Sequence, residues 1–108
     1  MSFARIVTMR LKSNSASDFT RTMENEIVPI LRKQKGFQDE LVLVNTDGTE
    51  AIGISVWDKK ESAEAYQRSG YPQVQQALVK VTEGAPQVQT YNVIHSTQQK
   101  TARSGGGV

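Results

Sequence analysis

The fold is decided by residues 37–57, which read FQDELVLVNTDGTEAIGISVW. The run from Phe37 to Asn45 is strand-like in composition, and Asp47-Gly48 behind it suits the positive φ angles of a tight hairpin turn. A second strand-like run extends from Glu50 to Trp57. The stretch therefore predicts two strands that pair in antiparallel fashion.

Upstream of the hairpin, the sequence predicts one strand and one helix. The run from Phe3 to Lys12 alternates in the manner of a strand, and a serine-rich turn follows it. Apolar residues then recur at helical spacing to about Gln34, and Gly36 stands where a left-handed residue commonly ends a helix. Pro29 lies inside this helix and lacks a backbone N–H, which predicts a bend in the last turns.

Downstream of the hairpin, the sequence predicts a second helix and a fourth strand. Asp58 is placed to cap the helix, residues 69–72 (SGYP) interrupt it, and residues 83–86 (EGAP) end it. The run from Gln87 to Ser96 then alternates as strand four.

The resulting order of elements is βαββαβ, which is typical of an α+β domain. We expect a four-stranded antiparallel sheet with both helices on one face. The domain spans residues 1–96, and residues 97–108 form a polar, glycine-rich tail that we expect to be flexible.

The strands also predict a partner for the sheet. A sheet with helices on one face normally turns a polar face to water, but these strands carry apolar residues at consecutive positions. The runs are LVLV at 41–44, AIGI at 51–54 and VI at 93–94. Apolar side chains therefore project from both faces, and a second sheet would cover the outer one, which predicts a homodimer through the sheet face. The alternative is that the exposed face tolerates hydrophobic residues.

Composition argues against several classes of protein. The 13 basic and 11 acidic residues give a net charge of +2, and two of the basic residues, Lys100 and Arg103, lie in the tail. Acids and bases are interspersed, whereas a nucleic-acid-binding domain usually has a basic stripe. No apolar run approaches the roughly 20 residues of a membrane span, and no signal-peptide pattern is present. We expect a cytoplasmic protein that binds neither nucleic acid nor membrane.

Metal and phosphate chemistry lack their usual residues. The chain has no cysteine and one histidine, which disfavours a transition-metal centre. No glycine-rich phosphate loop, two-histidine metal spacing or nucleophile elbow occurs. We therefore expect no metal and no other cofactor.

Four short runs resemble one known family. The predicted first helix contains PILR at 29–32, GFQ follows at 36–38, and SVWD at 55–58 is followed by ESAEAY at 61–66. Over roughly residues 3–96 this pattern resembles the antibiotic biosynthesis monooxygenase family. The resemblance implies a ferredoxin-like fold, a dimeric α/β barrel and a pocket for a small molecule. Members oxygenate polycyclic phenols and quinones without metal or flavin, degrade haem, or have no known activity, so the resemblance implies a pocket more than a reaction.

The family's site residues are only partly matched. Haem-degrading relatives carry an aromatic residue and, about three turns later, an iron-ligating histidine, and the matching positions here are Tyr66 and Gln76. Glutamine does not replace an axial imidazole, which disfavours haem. The tryptophan of the oxygenases matches Trp57, but their asparagine and tyrosine correspond to Gly53 and Ala63. Trp57 and Tyr66 are thus candidate substrate-binding residues, and core packing is the alternative for Trp57.

Three further side chains are candidates on their own chemistry. His95 is the natural candidate base, because its ordinary pKa lies near neutrality, although an exposed histidine near a strand end is commonplace. Tyr91 shares its face and is a candidate for substrate binding. Arg5 has the parity of the buried positions of strand one and is a candidate to reach a pocket or the dimer partner, the alternative being a surface position. Asp39 and Glu40 are adjacent and face opposite sides, which argues against a paired-carboxylate site.

The sequence leaves three functions open. One is a cofactor-independent monooxygenase acting on an aromatic or quinone-like small molecule, as the resemblance implies. A second is a non-catalytic small-molecule-binding or stress-related dimer, because the expected polar site residues are absent. A third is a lyase, isomerase or decarboxylase of the same superfamily.

Overall fold

The computed structural model describes residues 1–97, and they form the predicted βαββαβ order. The strands are β1 (Phe3–Leu11), β2 (Phe37–Val44), β3 (Glu50–Trp57) and β4 (Thr82–Asn92). The first helical region comprises α1 (Ala16–Thr22), a π-helical segment (Met23–Ile27) and α2 (Val28–Arg32), and the second comprises α3 (Lys60–Ser69) and α4 (Tyr71–Leu78). The predicted α+β fold is confirmed. Apart from Thr97, the predicted tail lies outside the described residues.

The four strands form one antiparallel sheet in the order β2-β3-β1-β4. Odd-numbered residues of β1 face the helices and are all buried, whereas Ile6 and Thr8 on the other face are half-buried and Arg10 is exposed. The core lies between the sheet and both helical regions. Its main apolar members are Phe3, Val7, Met9, Leu11, Phe19, Met23, Ile27, Leu31, Trp57, Tyr66, Tyr71, Val74 and Leu78.

The first helical region changes its hydrogen-bonding pattern beside Pro29. The π-helical segment Met23–Ile27 ends two residues before this proline, which occupies one of the first two positions of α2. Proline lacks the N–H that an α-helix interior requires, and π turns are one way in which a helix accommodates such an interruption. The structure thus places an irregular turn next to the position where the sequence predicts a bend.

Gly36 joins the first helical region to β2 in the left-handed conformation, with φ of +86°. A Cβ atom at this position would lie 2.4 Å from the hydroxyl oxygen of Ser62, so both the backbone angle and the close packing against α3 require glycine. Asp58 does not cap α3 directly, because Lys59 holds the N-cap position. Its carboxylate instead accepts a hydrogen bond of 2.6 Å from the Ser62 hydroxyl.

Strand four begins and ends earlier than the sequence predicts. Residues 83–86 lie inside β4 rather than forming a break before it, and the strand ends at Asn92 rather than at Ser96. β4 is an edge strand, which tolerates Pro86 because one row of its N–H groups has no neighbouring strand to bond. The pairing of β1 with β4 shifts register between Thr8 and Arg10, and this shift accommodates the irregular backbone of β4.

The outer face of the sheet carries exposed apolar side chains. Leu41 is 57% exposed, Leu43 is 46% exposed and Tyr91 is 50% exposed. Ile52 and Ile54, which pair with the two leucines across β2 and β3, are half-buried on the same face. The described residues contain no helix of the length and hydrophobicity needed to span a bilayer.

Candidate functional site

One row of residues across the sheet points polar side chains into the helix-facing interior. The strand register pairs Glu40 of β2 with Ser55 of β3, and Ser55 with Arg5 of β1. Glu40 and Arg5 therefore lie on the same face, two strand spacings or about 10 Å apart between backbones. Arg5 is only 3% exposed, and Glu40 is half-buried. Two ionisable groups are thus held beneath the helices by register alone.

The guanidinium of Arg5 is surrounded by neutral groups. Its Nη2 donates a hydrogen bond to the side-chain oxygen of Gln67. The guanidinium carbon lies 4.3 Å from the ring centroid of Tyr71 and 5.1 Å from that of Tyr66, which are cation–π distances. The ion pairs found within residues 1–97 do not include Arg5. Arg5 is therefore a buried cation without a carboxylate in contact with it.

The pKa of the Glu40 carboxyl is shifted strongly upward from its ordinary value. Burial and, to a smaller extent, the negative charge of adjacent Asp39 raise its pKa to about 8 against the opposing positive charge of Arg5. At pH 7 most Glu40 side chains are therefore protonated and neutral. Gly53 makes room for this carboxyl, because a Cβ atom there would lie 3.3 Å from Oε2 of Glu40.

Trp57 is the packing centre of the cluster. It has no exposed surface, stacks on Tyr66 with ring centroids 4.9 Å apart, and meets Phe37 edge-on at 5.6 Å. Its indole N–H donates a hydrogen bond of 2.9 Å to the hydroxyl of Ser55. The indole N–H thus already has a hydrogen-bond acceptor within the protein, and the Trp57 ring packs against Tyr66 by stacking.

The buried hydroxyl group of Tyr71 has no acceptor for its proton in the described part of the chain. Tyr71 is 4% exposed and its ring lies 5.9 Å from that of Tyr66. Burial raises the pKa of both phenols, the Arg5 charge opposes the shift in each case, and a side-chain hydrogen bond from Arg5 opposes it further at Tyr71. Both side chains therefore stay neutral, and Tyr71 keeps a free donor next to the guanidinium.

Two cavities meet at this cluster. An inner cavity of about 30 Å³ lies between the sheet and the helices, and an outer groove of about 440 Å³ lies between the first helical region and β2. Glu40 and Met23 line both of them. The groove has the volume of a small-molecule site, whereas the inner cavity holds about two water molecules. Glu40 and Met23 therefore separate a ligand-sized groove from a small, mainly apolar cavity whose wall includes Arg5.

The structure brings together some of the sequence-predicted site residues and separates others. Arg5 and Tyr66 line the inner cavity, and Trp57 packs behind Tyr66. Tyr91 lies on the outer face, where its hydroxyl bonds to Gln89, and exposed His95 lies beyond the end of β4. Neither lines the inner cavity or the groove.

Sequence reasoning missed two residues, Glu40 and Tyr71. Glu40 has the parity of Val42 and Val44, which also line the groove, but the equally apolar Leu41 on the opposite face obscured that signal. Tyr71 precedes Pro72, and the sequence there predicts an interruption of the helix rather than a site residue. Within residues 1–97 no group of three or more potential metal-ligating side chains occurs.

The fold is similar to that of solved small oxygenases. A monooxygenase from Streptomyces coelicolor (ActVA-Orf6), solved in complex with nanaomycin D, matches with a TM-score of 0.74 at 15% identity, over 88% of this chain and 89% of that one. SnoaB, a cofactor-independent oxygenase from Streptomyces nogalater, matches with a TM-score of 0.72 at 12% identity, over 89% and 96%. NE2512, a protein of unknown function from Nitrosomonas europaea, matches with a TM-score of 0.73 at 7% identity, over 98% and 96%.

These likenesses establish the fold and confirm, at that level, the resemblance to antibiotic biosynthesis monooxygenases. No protein-family model matches the sequence, and no curated protein sequence matches it. The structural neighbours include cofactor-independent oxygenases and proteins without a known function. Because one fold carries several functions, the activity of this chain has to be argued from its own site.

Proposed function

We propose that this protein binds a planar aromatic molecule in the groove beside β2 and acts on it as a cofactor-independent monooxygenase, with Glu40 as the proton acceptor. The observation that supports this is the position of the Glu40 carboxyl, which borders both the ligand-sized groove and the inner cavity. A base is most effective when its pKa lies near the working pH, and a pKa of about 8 meets that condition. About a tenth of the Glu40 side chains are ionised at pH 7.

The reaction needs a substrate carbon that carries two hydrogens and is flanked by aromatic rings. Glu40 removes one proton, and the resulting carbanion is stabilised by delocalisation into the rings. The carbanion passes an electron to molecular oxygen, and the two radicals combine to form a C–O bond. Glu40 returns its proton to the peroxide, the second C–H bond and the O–O bond break, and water leaves. In total, one CH₂ group and one O₂ give one ketone and one H₂O.

The protein's part in this scheme is to bind, to take the proton and to exclude bulk water. Phe19, Met23 and Val42 line the groove with apolar surface, which favours an aromatic ring over water. The Arg5 guanidinium lies behind Glu40 and would stabilise negative charge that spreads onto a ring oxygen. Oxygen enters as a reactant from solution.

The functional unit in this proposal is a homodimer. The exposed leucines of β2 and the isoleucines of β3 make the outer sheet face apolar, and a second copy of the same face is a self-complementary cover for it. The groove and the inner cavity lie on the opposite, helix-facing side. Dimer formation would therefore leave both of them open to a ligand.

A second candidate function is ligand binding without turnover. The observation that favours it is the pair Gly53 and Ala63, which stand where the resembling oxygenases carry an asparagine and a tyrosine. In addition, the inner cavity of about 30 Å³ beside Tyr66 is too small for a ring system. A binding protein needs the groove and the aromatic wall but no competent base.

The test uses anthrone, both unsubstituted and with one ring carboxylate, because its CH₂ group between two rings forms a stabilised carbanion. We expect oxygen uptake and anthraquinone formation in a one-to-one ratio above the spontaneous rate. The variant Glu40→Gln should lower kcat by about 100-fold or more, which is a usual contribution of a positioned base. The exposed Glu61 on α3 provides the matched control, since Glu61→Gln should keep the wild-type rate. Thermal stabilisation by the anthrones without oxygen uptake would instead support the binding function, and an unchanged rate in Glu40→Gln would contradict the role of Glu40.

A further inference from the structure

The guanidinium of Arg5 is buried, which is electrostatically unfavourable. A buried guanidinium loses its hydration, and buried charges are normally paired with an opposite charge. At 3% exposure Arg5 has a neutral amide, two aromatic faces and the Tyr71 hydroxyl as its polar and aromatic contacts, and Glu40 acts on it only at longer range. No carboxylate among residues 1–97 forms an ion pair with its positive charge.

Glu40 does not supply the missing charge near neutral pH. Its pKa of about 8 leaves most of its side chains neutral at pH 7, and no ion pair joins it to Arg5. Other charged or titratable groups also surround this carboxyl. They are Asp39 beside it in β2, Tyr66 and Tyr71 from the second helical region, and Glu24 and Arg32 along the groove. None of these groups forms an ion pair with Arg5.

The hydroxyl of Tyr71, which lacks an acceptor for its proton, is a second sign of an incomplete site. A buried hydroxyl without a partner costs free energy, and most buried polar groups in proteins are satisfied. This hydroxyl belongs to the ring that the guanidinium faces, and both residues line the inner cavity. One charged donor and one neutral donor thus border the same small space.

We infer that the inner cavity binds the carboxylate group of an aromatic acid, with Arg5 and Tyr71 as the donors and the aromatic ring of the ligand in the outer groove. The inference concerns the ligand of the proposed function and rests on occupation of that groove. The cavity of about 30 Å³ has room for about two water-sized atoms, which matches the two oxygens of a carboxylate and excludes a ring. A guanidinium presents parallel N–H donors that suit this planar group.

The path from groove to cavity passes Glu40 and Met23, the two residues that line both spaces. Met23 belongs to the π-helical segment, and an unbranched methionine side chain adapts its shape easily. A protonated Glu40 can donate a hydrogen bond to a carboxylate that lies against Arg5, whereas an ionised Glu40 would repel it. Binding should therefore weaken above pH 8, where Glu40 itself becomes the anion beside Arg5.

The test compares 2-naphthoate with its neutral isostere 2-naphthamide by titration calorimetry on the full chain at pH 7. We expect the wild type to bind 2-naphthoate at least tenfold more tightly than 2-naphthamide. In Arg5→Met the ratio of the two affinities should fall to about one. The exposed Arg10 of the same strand provides the matched control, since Arg10→Met should keep the wild-type ratio.

Two further variants keep the inference testable if Arg5→Met does not fold. Tyr71→Phe removes only the hydroxyl and should weaken 2-naphthoate binding by about tenfold, the usual effect of losing a hydrogen bond to a charged group. Glu40→Gln should bind 2-naphthoate equally well at pH 7 and pH 9, whereas the wild type should lose affinity over that range.

Equal affinity for the acid and the amide in the wild type, or no binding of either at millimolar concentration, would overturn the inference. So would a preference for 2-naphthoate that survives Arg5→Met. Oxygen uptake separates this outcome from a failure of the proposed function. An acid preference without turnover of either anthrone would leave the inference standing and refute the oxygenase, and turnover of anthrone without any acid preference would do the opposite.

Discussion

Glu40→Gln tests the electrostatics of the site through the stability of the protein, independently of any substrate. Glutamine has nearly the shape of a protonated glutamic acid but cannot ionise. As the pH rises, ionising the half-buried Glu40 carboxyl costs free energy in the folded wild type. The glutamine of the variant has no such group to ionise. We therefore expect the variant to gain stability relative to the wild type with increasing pH.

The size and the sign of the effect follow from the pKa of Glu40, which is about 8 in the folded protein against an ordinary 4.5. Between these pH values the unfolded chain has lost the proton and the folded protein has kept it, so wild-type stability falls as the pH rises. Below about pH 4.5 and above about pH 8 the two states carry equal charge at this position, and the effect is flat. The window of roughly 3.5 pH units at about 1.4 kcal/mol each sets an upper bound near 5 kcal/mol. Because water reaches a half-buried carboxyl, we expect about 3 kcal/mol.

The assay is urea denaturation of the wild type and Glu40→Gln at pH 5, 7 and 9 and at one protein concentration, because a dimer's stability depends on concentration. The difference in unfolding free energy should grow from pH 5 to pH 7 and level off between pH 8 and pH 9. Glu61→Gln, which changes an exposed carboxylate on α3, should follow the wild type throughout. Parallel pH profiles for the wild type and Glu40→Gln would refute the assignment of a raised pKa to Glu40.

Three other substitutions test the assembly and the packing. Leu43→Glu places a charge on the outer sheet face through which we propose that two copies pair, so we expect light scattering to report a dimer for the wild type and a monomer for the variant. Ser55→Ala leaves the indole N–H of Trp57 without its acceptor and should cost about 1–3 kcal/mol in urea denaturation. Gly36→Ala should destabilise the protein by more than the 1–2 kcal/mol expected for Gly48→Ala in thermal melts, because both glycines have positive φ but only the first is in close contact with α3.

The elements that were predicted well are those in which local and tertiary preferences agree. The β2–β3 hairpin combines strand-forming residues with a turn glycine, Gly48, whose φ is +72°, and it lies where the sequence predicts it. The start of β4 was wrong because Gly84 and Pro86 are local breakers. Pairing with β1 at the edge of the sheet overrides that local preference, and no local pattern reveals an edge strand.

The candidate site was predictable only in part, for a related reason. Arg5 was identified by parity, since every other odd residue of β1 is apolar and a charged residue among them stands out. Glu40 was not, because β2 is apolar at Leu41 and Leu43 as well as on its helix-facing side, and the pattern does not say which face is buried. The buried face is set by the helices, whose position over the sheet depends on tertiary packing.

Because the sequence does not show which face of β2 is buried, it points to His95 as a candidate base and not to Glu40. An ordinary pKa near neutrality is a property of the residue type, whereas a shifted pKa is a property of the site. Burial between helices and sheet moves a carboxyl into the pH range where histidine normally titrates, and the register holds it across Ser55 from a cation that it does not contact. The retention of both groups, facing one cavity without an ion pair between them, is what our inferred carboxylate ligand would explain.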